Sequence, residues 1–552
     1  MPVPYLVAAA SLSGVATHLL YFKRGEHHLD GHRYVLAAIA SFLVLAVLGR
    51  SPVFLDTTGT DWESAISLST KLHGCFFLGL YSSLITYRLF FHPLNKFPGP
   101  VGARISTFWF SYHIRSLDAW RKIAALHDQY GPYVRVGPTE LSIRDPKAVM
   151  VLHGPASKCE KGPNYDLTKP MTSLHMFRDK SLHSVRRRVW SQAFSDRALR
   201  GYEQRMQEYR DMLFDRIVAS NGQPIDMAKW FRFYSFDIMG DLAFGKSFNM
   251  LGTSRNHWAI DLLDAGVWPL ALQLPIWLLR LGMCIPFLAS DWWKFVGFCR
   301  DRLLARMKCE PDVPDIMSTL LGPLGGREPS KEETDLLIGD AQLIIGAGSH
   351  TTAASMASVL YELAKHPQHF EKLRQELVPF VHGSQVEAAQ DDLARLEHLN
   401  AVIYETLRLH PPVPTTIYRL TPQEGVMIDD IHIPGGMGVM CPQYSIGRSE
   451  AVYSKANSFA PERWYQFPDM IKDKEAFAPF STGPYGCIGK RLALMDICQT
   501  ISRLVWTFDI AFAPGEDGAS FERDAIDAFM MTFGELKLSL KLREVPLVSV
   551  QL

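Results

Sequence analysis

Hydrophobic and polar positions divide the chain into two stretches of different kind. Residues 1–91 hold three apolar runs joined by polar connectors: Met1 to Phe22 carries no Lys, Arg, Asp or Glu, and Tyr34 to Gly49 and Leu72 to Tyr87 are 16 uncharged residues each. The first run matches the ~20 residues that a helix needs to cross a bilayer. The other two reach about 24 Å at 1.5 Å per residue, so they span only if Arg33, Arg50, Lys71 and Arg88 carry their charges outward on their stems. Burial as core helices is the alternative for those two. The pattern predicts an anchor over 1–91 with one to three transmembrane helices.

From residue 92 the pattern changes. Pro93, Pro98 and Pro100 refuse helix and predict a stiff hinge over 92–100 between the anchor and a body over 101–552. In that body apolar residues recur at spacings of 3 and 4 over Leu117 to Tyr130, Ala198 to Ser220, Phe231 to Ala243, Trp292 to Met307, Pro367 to Val378 and Arg491 to Phe508, which predicts helices. Short alternating or β-branched runs at Val134 to Val136, Leu141 to Ile143, Val426 to Ile433 and Gly438 to Met440 predict a small sheet. The fold class is mainly α with a minor β-sheet portion. No internal repeat divides the body.

The longest expected helix opens on the capping box Ser330-x-x-Glu333 and stops at His366-Pro367, about 54 Å later. Its middle reads Gly346-Ala347-Gly348-Ser349-His350-Thr351-Thr352. Each glycine costs about 1 kcal/mol against Ala, and the hydroxyls compete for backbone carbonyls, so a locally opened helix is expected there. Close helix packing through small residues is the alternative.

Charge narrows the partners. The 57 Lys plus Arg equal the 57 Asp plus Glu, and no basic stripe supplies the cation surplus that phosphate binding needs, so nucleic acid is excluded. The charge is uneven: residues 1–91 carry 11 charged side chains and the rest 103. Eight cysteines form no CxxC pair and no N-x-[ST] acceptor occurs, which places the body in a reducing compartment. A cleaved signal peptide is not expected, because the start lacks a positive charge and its apolar run is too long. Lys23, Arg24 and Arg33 flank the first connector, Asp56, Asp61 and Glu63 make the second acidic, and Arg88, Lys96 and Arg104 follow the third run. The positive-inside rule then puts the body in the cytosol and, with three spans, the N-terminus in the lumen. Glu26, His27, His28, Asp30 and His32 in the first connector invite a metal reading, against which a solvated loop is the simpler expectation.

Candidate chemistry concentrates late in the chain. Phe480-Ser481-Thr482-Gly483-Pro484-Tyr485-Gly486-Cys487-Ile488-Gly489-Lys490 sets one cysteine among three glycines at the start of an expected helix. A helix N-terminus lowers a thiol pKa, and glycines let backbone approach a large planar group. It is not a phosphate loop, since Gly483 and Gly489 are one residue too far apart and Arg491 stands where Ser or Thr would hold magnesium. Alone, Cys487 reads equally well as a buried structural thiol. Glu405-Thr406-Leu407-Arg408, by itself a surface pair, and Phe459-Ala460-Pro461-Glu462-Arg463-Trp464 precede it.

Taken in order, these four segments resemble the cytochrome P450 family from Phe97 to the C-terminus. The apolar anchor and proline segment resemble its membrane-bound microsomal members, and the Gly-Pro-Tyr-Gly-Cys-Ile-Gly-Lys wording is similar to fungal enzymes of secondary metabolism. The resemblance implies a P450 fold with N-terminal transmembrane helices and haem b held by the Cys487 thiolate, with Phe480 packed beside the loop. It implies a buried network of Glu405, Arg408 and Arg463. It also implies that Thr351 hydrogen-bonds dioxygen and relays protons over the distal haem face. Two positions depart from the family pattern. His350 stands where an acid is usual, and is expected either to pass protons or to point away while water does the relay. Tyr485 stands where many members place a propionate-binding Arg, so His183, Arg187 and Arg419 are expected to compensate.

The same resemblance implies an endoplasmic reticulum membrane enzyme with a cytosolic catalytic domain. Electrons would come from NADPH-cytochrome P450 reductase, because no flavin or nicotinamide segment is present. Its substrate would be a lipophilic small molecule. Val413 to Thr416, Phe529 to Met531 and the residues around Met171 to Phe177 are expected to line the pocket. Trp268, Trp277, Phe287 and Trp292 would form a lid toward the membrane, with core packing as their alternative. A haem-thiolate isomerase or dehydratase needing no reductase is the competing enzyme class, and a haem-binding or membrane scaffold without catalysis is the third.

Overall fold

The computed structural model describes residues 3–50, 61–309, 313–382, 385–386, 388–415 and 417–543; Asp56 and Thr416 lie outside them. It is 62% helical and 8% strand.

Three N-terminal helices are long and apolar enough to cross a membrane: α1 (Val3–Thr17), continued by a π turn to Phe22, α2 (Gly31–Leu48) and α3 (Trp62–Thr86). The third span is longer than its 16-residue uncharged run, because the helix takes in Lys71 and Glu63 and reaches Phe91. Their packing fixes their directions. A Cβ on Gly14 would lie 2.0 Å from the Phe76 carbonyl oxygen and one on Gly79 2.1 Å from that of Ser11, so small residues bring α1 and α3 together, and His18 Nδ1 at 2.8 Å from Ser83 Oγ with Lys23 Nζ 4.4 Å over the Tyr87 ring further on makes them parallel. Ser69 donates to the Phe42 carbonyl at 2.9 Å and Ser41 meets His73 at 3.0 Å, which runs α2 antiparallel to α3. The 23–30 connector therefore sits at the same end of the bundle as the body.

Residues 92–100 do not bridge a gap. Leu94 and Phe97 are buried, and Arg135 donates to Asn95 Oδ1 at 2.6 Å, which builds the segment onto the body.

Within the body the elements that position the site are α4 (Lys180–Gln192), α5 (Met227–Phe244), α6 (Trp258–Ala271), α7 (Ile276–Met283), α8 (Lys331–Lys365), α9 (Glu397–Leu409) and α10 (Lys490–Thr507). α8 begins on its capping box, Ser330 N–H to Glu333 Oε2 at 2.8 Å and Glu333 N–H to Ser330 Oγ at 3.2 Å. It is apolar enough to span a membrane, but 61% of its apolar window is buried in the body. The expected opening at its centre is absent. Thr351 and Thr352 bond back to the carbonyls of Ala347 and Gly348 at 2.6 and 2.8 Å without breaking the helix. Packing explains Gly348 instead, since a Cβ there would lie 2.4 Å from Met239 Sδ on α5.

A five-stranded sheet joins β1 (Tyr133–Arg135), β2 (Glu140–Ile143), β3 (Glu160–Lys161), β4 (Arg419–Leu420) and β5 (Gly438–Met440) in the order β1-β2-β5-β4-β3. β2 and β5 are parallel and the other pairs antiparallel, with Lys161 directly opposite Arg419. A separate hairpin of β6 (Ile526–Ala528) and β7 (Met530–Thr532) carries Phe529 at its tip.

Candidate active site

The Cys487 loop precedes α10 and is shaped by its glycines. Gly483 has φ +65°, and a Cβ there would lie 2.4 Å from the His153 carbonyl oxygen, so no other residue fits. The Cys487 N–H bonds the Phe480 carbonyl at 2.8 Å, which closes the loop and presents both side chains to one large cavity of about 1970 Å³. Burial pushes the Cys487 thiol up, while the amides of Gly489 and Lys490 and the charge of Arg187 oppose that rise. The lowering expected from the helix N-terminus is thus present but outweighed by desolvation.

One edge of this cavity is cationic. Lys161, Arg187 and Arg419 all reach it, and none of them has a carboxylate partner among the described residues. Tyr485 is their hub: its ring lies 4.8 Å from Lys161 Nζ, 5.0 Å from the Arg419 guanidinium and 4.7 Å from the His183 ring. Burial, aided by Arg419 and Arg187, pushes Lys161 down to about 6, and burial with Lys161, Arg187 and Arg419 pushes His183 down to about 3. Arg419 Nε, Ser481 Oγ and Tyr485 Oη are buried without a hydrogen-bond partner. Two guanidinium charges without a carboxylate, a buried lysine that a carboxylate would return to its charged form, and orphaned polar atoms beside an accessible sulfur are the donor set that a dianionic haem requires, so these residues fit that cofactor. Lys161 was not legible in the sequence; only its cross-strand pairing with Arg419 brings it here.

Arg186, beside Arg187, is occupied elsewhere. Arg186 pairs with buried Asp340 of α8 at 2.8 Å, and Asp340 also accepts from Trp190 Nε1 at 3.1 Å and the Leu174 N–H at 2.8 Å. That knot ties α4 and the 171–176 segment to α8, leaving Arg187 turned into the cavity.

α8 crosses the same cavity with Gly346, Ala347 and Thr351 on its inner face, and a Cβ on Gly346 would meet nothing within 4 Å. One residue earlier in the helical turn, His350 faces the other way. Its ring stands edge-on to Phe236 at 4.9 Å, its Nε2 lies 3.5 Å from Asp264 Oδ1, and burial with the nearby Arg232 charge pushes it down to about 3. The expectation that His350 passes protons into the site is revised: the roughly 100° step between neighbours separates it from Thr351.

Glu405 and Arg408 on α9 are buried, not a surface pair. Arg408 Nη2 meets Glu405 Oε1 at 2.7 Å, Arg463 Nε meets the same oxygen at 2.9 Å, and Trp464 Nε1 donates to Glu405 Oε2 at 3.0 Å.

The apolar wall comes from Val413, Phe529, Met530, Leu343, Met171 and Thr172. Pro414, Thr415, Met531 and Phe177 do not reach the cavity; Pro414 and Met531 line a small crevice behind it. Phe529 has φ +75°, strained for a bulky residue, and holds its ring at the hairpin tip. Trp292 and Trp277 line the cavity, Trp277 also packing against Gly31 of α2, whereas Trp268 and Phe287 are exposed.

The sequence profile of the cytochrome P450 family matches residues 100–540. The chain is 49% identical over 97% of its length to tryprostatin B 6-hydroxylase of Aspergillus fumigatus, 96% of which is covered. It is 48% identical over 96% of its length to cytochrome P450 monooxygenase notG' of Aspergillus versicolor, again with 96% covered, and 38% identical over 96% to cytochrome P450 monooxygenase lcsK of Purpureocillium lilacinum, with 97% covered. A cysteine loop opening into the cavity under a small-residue helix, the E-x-x-R network and these similarities agree: the chain belongs to the cytochrome P450 family and is a P450 monooxygenase.

Proposed function

We propose that this chain is a membrane-anchored monooxygenase whose haem iron is held by the Cys487 sulfur and which oxidises a lipophilic small molecule of secondary metabolism. The observation that carries this reading is one cavity presenting a cysteine sulfur, a threonine hydroxyl and three basic side chains that have no carboxylate partner among the described residues. Haem bound there would supply dioxygen activation, one oxygen atom going to substrate and the other to water.

The chain's own residues do the rest. Lys161, Arg187 and Arg419, with His183, hold the two carboxylates of the cofactor, and Tyr485 spaces these groups where an arginine is usual. Phe480 packs beside the sulfur. Thr351 Oγ now donates to the Ala347 carbonyl; rotated about χ1, it presents its proton to the cavity and accepts another from water. Val413, Phe529 and Leu343 exclude water and select for size and shape more than for functional groups.

Electrons come from NADPH-cytochrome P450 reductase at the endoplasmic reticulum membrane, a reading supported by three apolar N-terminal helices and the absence of a flavin or nicotinamide segment. Two relatives, at 49% and 46% identity, carry the name tryprostatin B 6-hydroxylase, so tryprostatin B is the first substrate to assay. Microsomes holding this chain and reductase should convert a substrate to a product one oxygen atom heavier only when NADPH is added. Turnover without NADPH or reductase would favour the isomerase or dehydratase class instead.

A further inference from the structure

The cavity does not end at the substrate wall. It continues past Met171 and Thr172 to Tyr21, Phe22 and Tyr34 of the anchor. The outer part is walled by aromatic rings, with Tyr21 and His27 4.7 Å apart and Phe22 and Tyr34 5.2 Å apart and the hydroxyls of Tyr21 and Tyr34 bonding each other at 3.0 Å, and its rim carries Lys23, Glu26 and His28.

The 23–30 connector, expected to be solvated, is clasped to the body. Arg178 donates to Glu26 Oε1 at 2.6 Å and to Asp166 Oδ2 at 2.6 Å, and His28 Nε2 lies 2.9 Å from the same Asp166 oxygen. Lys169 meets Asp166 Oδ1 at 2.7 Å, and Arg280 of α7 caps the Asp166 and Leu167 carbonyls at 2.8 and 2.9 Å. Glu26, His28 and Asp166 are close enough to share a cation, but Arg178 and Lys169 already neutralise the two carboxylates. The cluster is a clasp. The segment it grips, from Asp166 to Lys169, runs directly into Met171 and Thr172 of the inner wall, so one short stretch of chain ties the connector to the inner chamber.

We propose that the anchor is part of the substrate site: the connector between α1 and α2 lies on the cytosolic face and walls an outer chamber for flat, lipophilic molecules coming from the membrane, held shut by Glu26 and His28. Its binding test uses the haem site proposed above, whereas its topology does not depend on it.

Two measurements test it in the full-length protein in sealed microsomes. Leu29→Cys should add a site for a membrane-impermeant maleimide without detergent, beyond labelling of the unsubstituted protein; labelling only after detergent would put the connector in the lumen and overturn the proposal. Stopped-flow binding of 1-dodecylimidazole and of imidazole, both read as nitrogen ligation of the haem, tests the wall. Glu26→Gln with His28→Ala should speed dodecylimidazole association about fivefold, the scale of one lost ion pair, and leave imidazole within about twofold. Equal changes for both probes, or none for either, would overturn it. Failure of both probes to ligate would instead strike at the haem assignment, leaving the labelling result to decide the topology.

Discussion

Arg463 Nε and Glu405 Oε1 meet at 2.9 Å with neither side chain exposing any surface, and the same carboxylate also accepts from Arg408, Trp464 and the Ala460 N–H. A buried carboxylate with this many donors is stable only as a set, since removing it strands two guanidinium charges in the interior. Glu405→Ala is expected to cost about 3–5 kcal/mol and to yield protein that retains no haem. Recovery of folded, haem-loaded Glu405→Ala at wild-type yield would contradict this.

Gly346 and Gly348 predict opposite outcomes two residues apart. Gly348→Val drives a side chain into Met239 and should destabilise the fold by about 1–3 kcal/mol. Gly346→Ala enters open cavity and gains helix propensity, so thermal stability should rise, by up to about 1 kcal/mol, while turnover of a bulky substrate falls. Thermal melts beside product assays separate the two.

This contrast shows what the sequence could and could not disclose. Local signals were legible: the capping box of α8, the strand at Gly438–Met440, the apolar anchor runs and the Cys487 loop all lie within short windows where one periodicity or one dihedral requirement decides the outcome. Spacing alone did not distinguish an opened helix from tight packing at Gly348, because the deciding atom belongs to Met239, more than 100 residues away. Lys161 and the Glu26–Arg178 contact were invisible for the same reason, as both exist only through long-range pairing. The facing of His350 was open to either reading until α5 and α6 were in place around it.

Asp527 lies fully buried behind the Phe529 tip, where burial pushes its carboxyl up to about 6 against bonds from Thr415 Oγ at 2.6 Å and the Phe529 N–H at 3.1 Å. Its folded pKa lies above the ordinary carboxylate value, so its neutral form is favoured in the fold. The stability it contributes is complete below pH ~4 and is lost, by about 3 kcal/mol, as pH rises to 6. KM for substrate should change with a midpoint near pH 6 as the tip adjusts, and Asp527→Asn should flatten that profile. An unchanged profile in Asp527→Asn would contradict it.

Thr351 and His350 should separate by function. Thr351→Ala is expected to leave folding intact and to divert NADPH consumption from product, lowering product per NADPH by about 100-fold, the lower end for a lost proton-transfer group. His350→Gln should alter stability more than coupling, because His350 packs against Phe236 outside the cavity. Comparing product formed per NADPH in the two variants checks both.

The most direct measurement is the carbon monoxide difference spectrum of the reduced, full-length protein in microsomes beside Cys487→Ala. A Soret band at the position of thiolate-ligated haem, lost in Cys487→Ala while the protein remains expressed, is the expected result. A thiolate band that persists in Cys487→Ala, or none in well-folded wild-type protein, would contradict the assignment of Cys487 as the haem ligand.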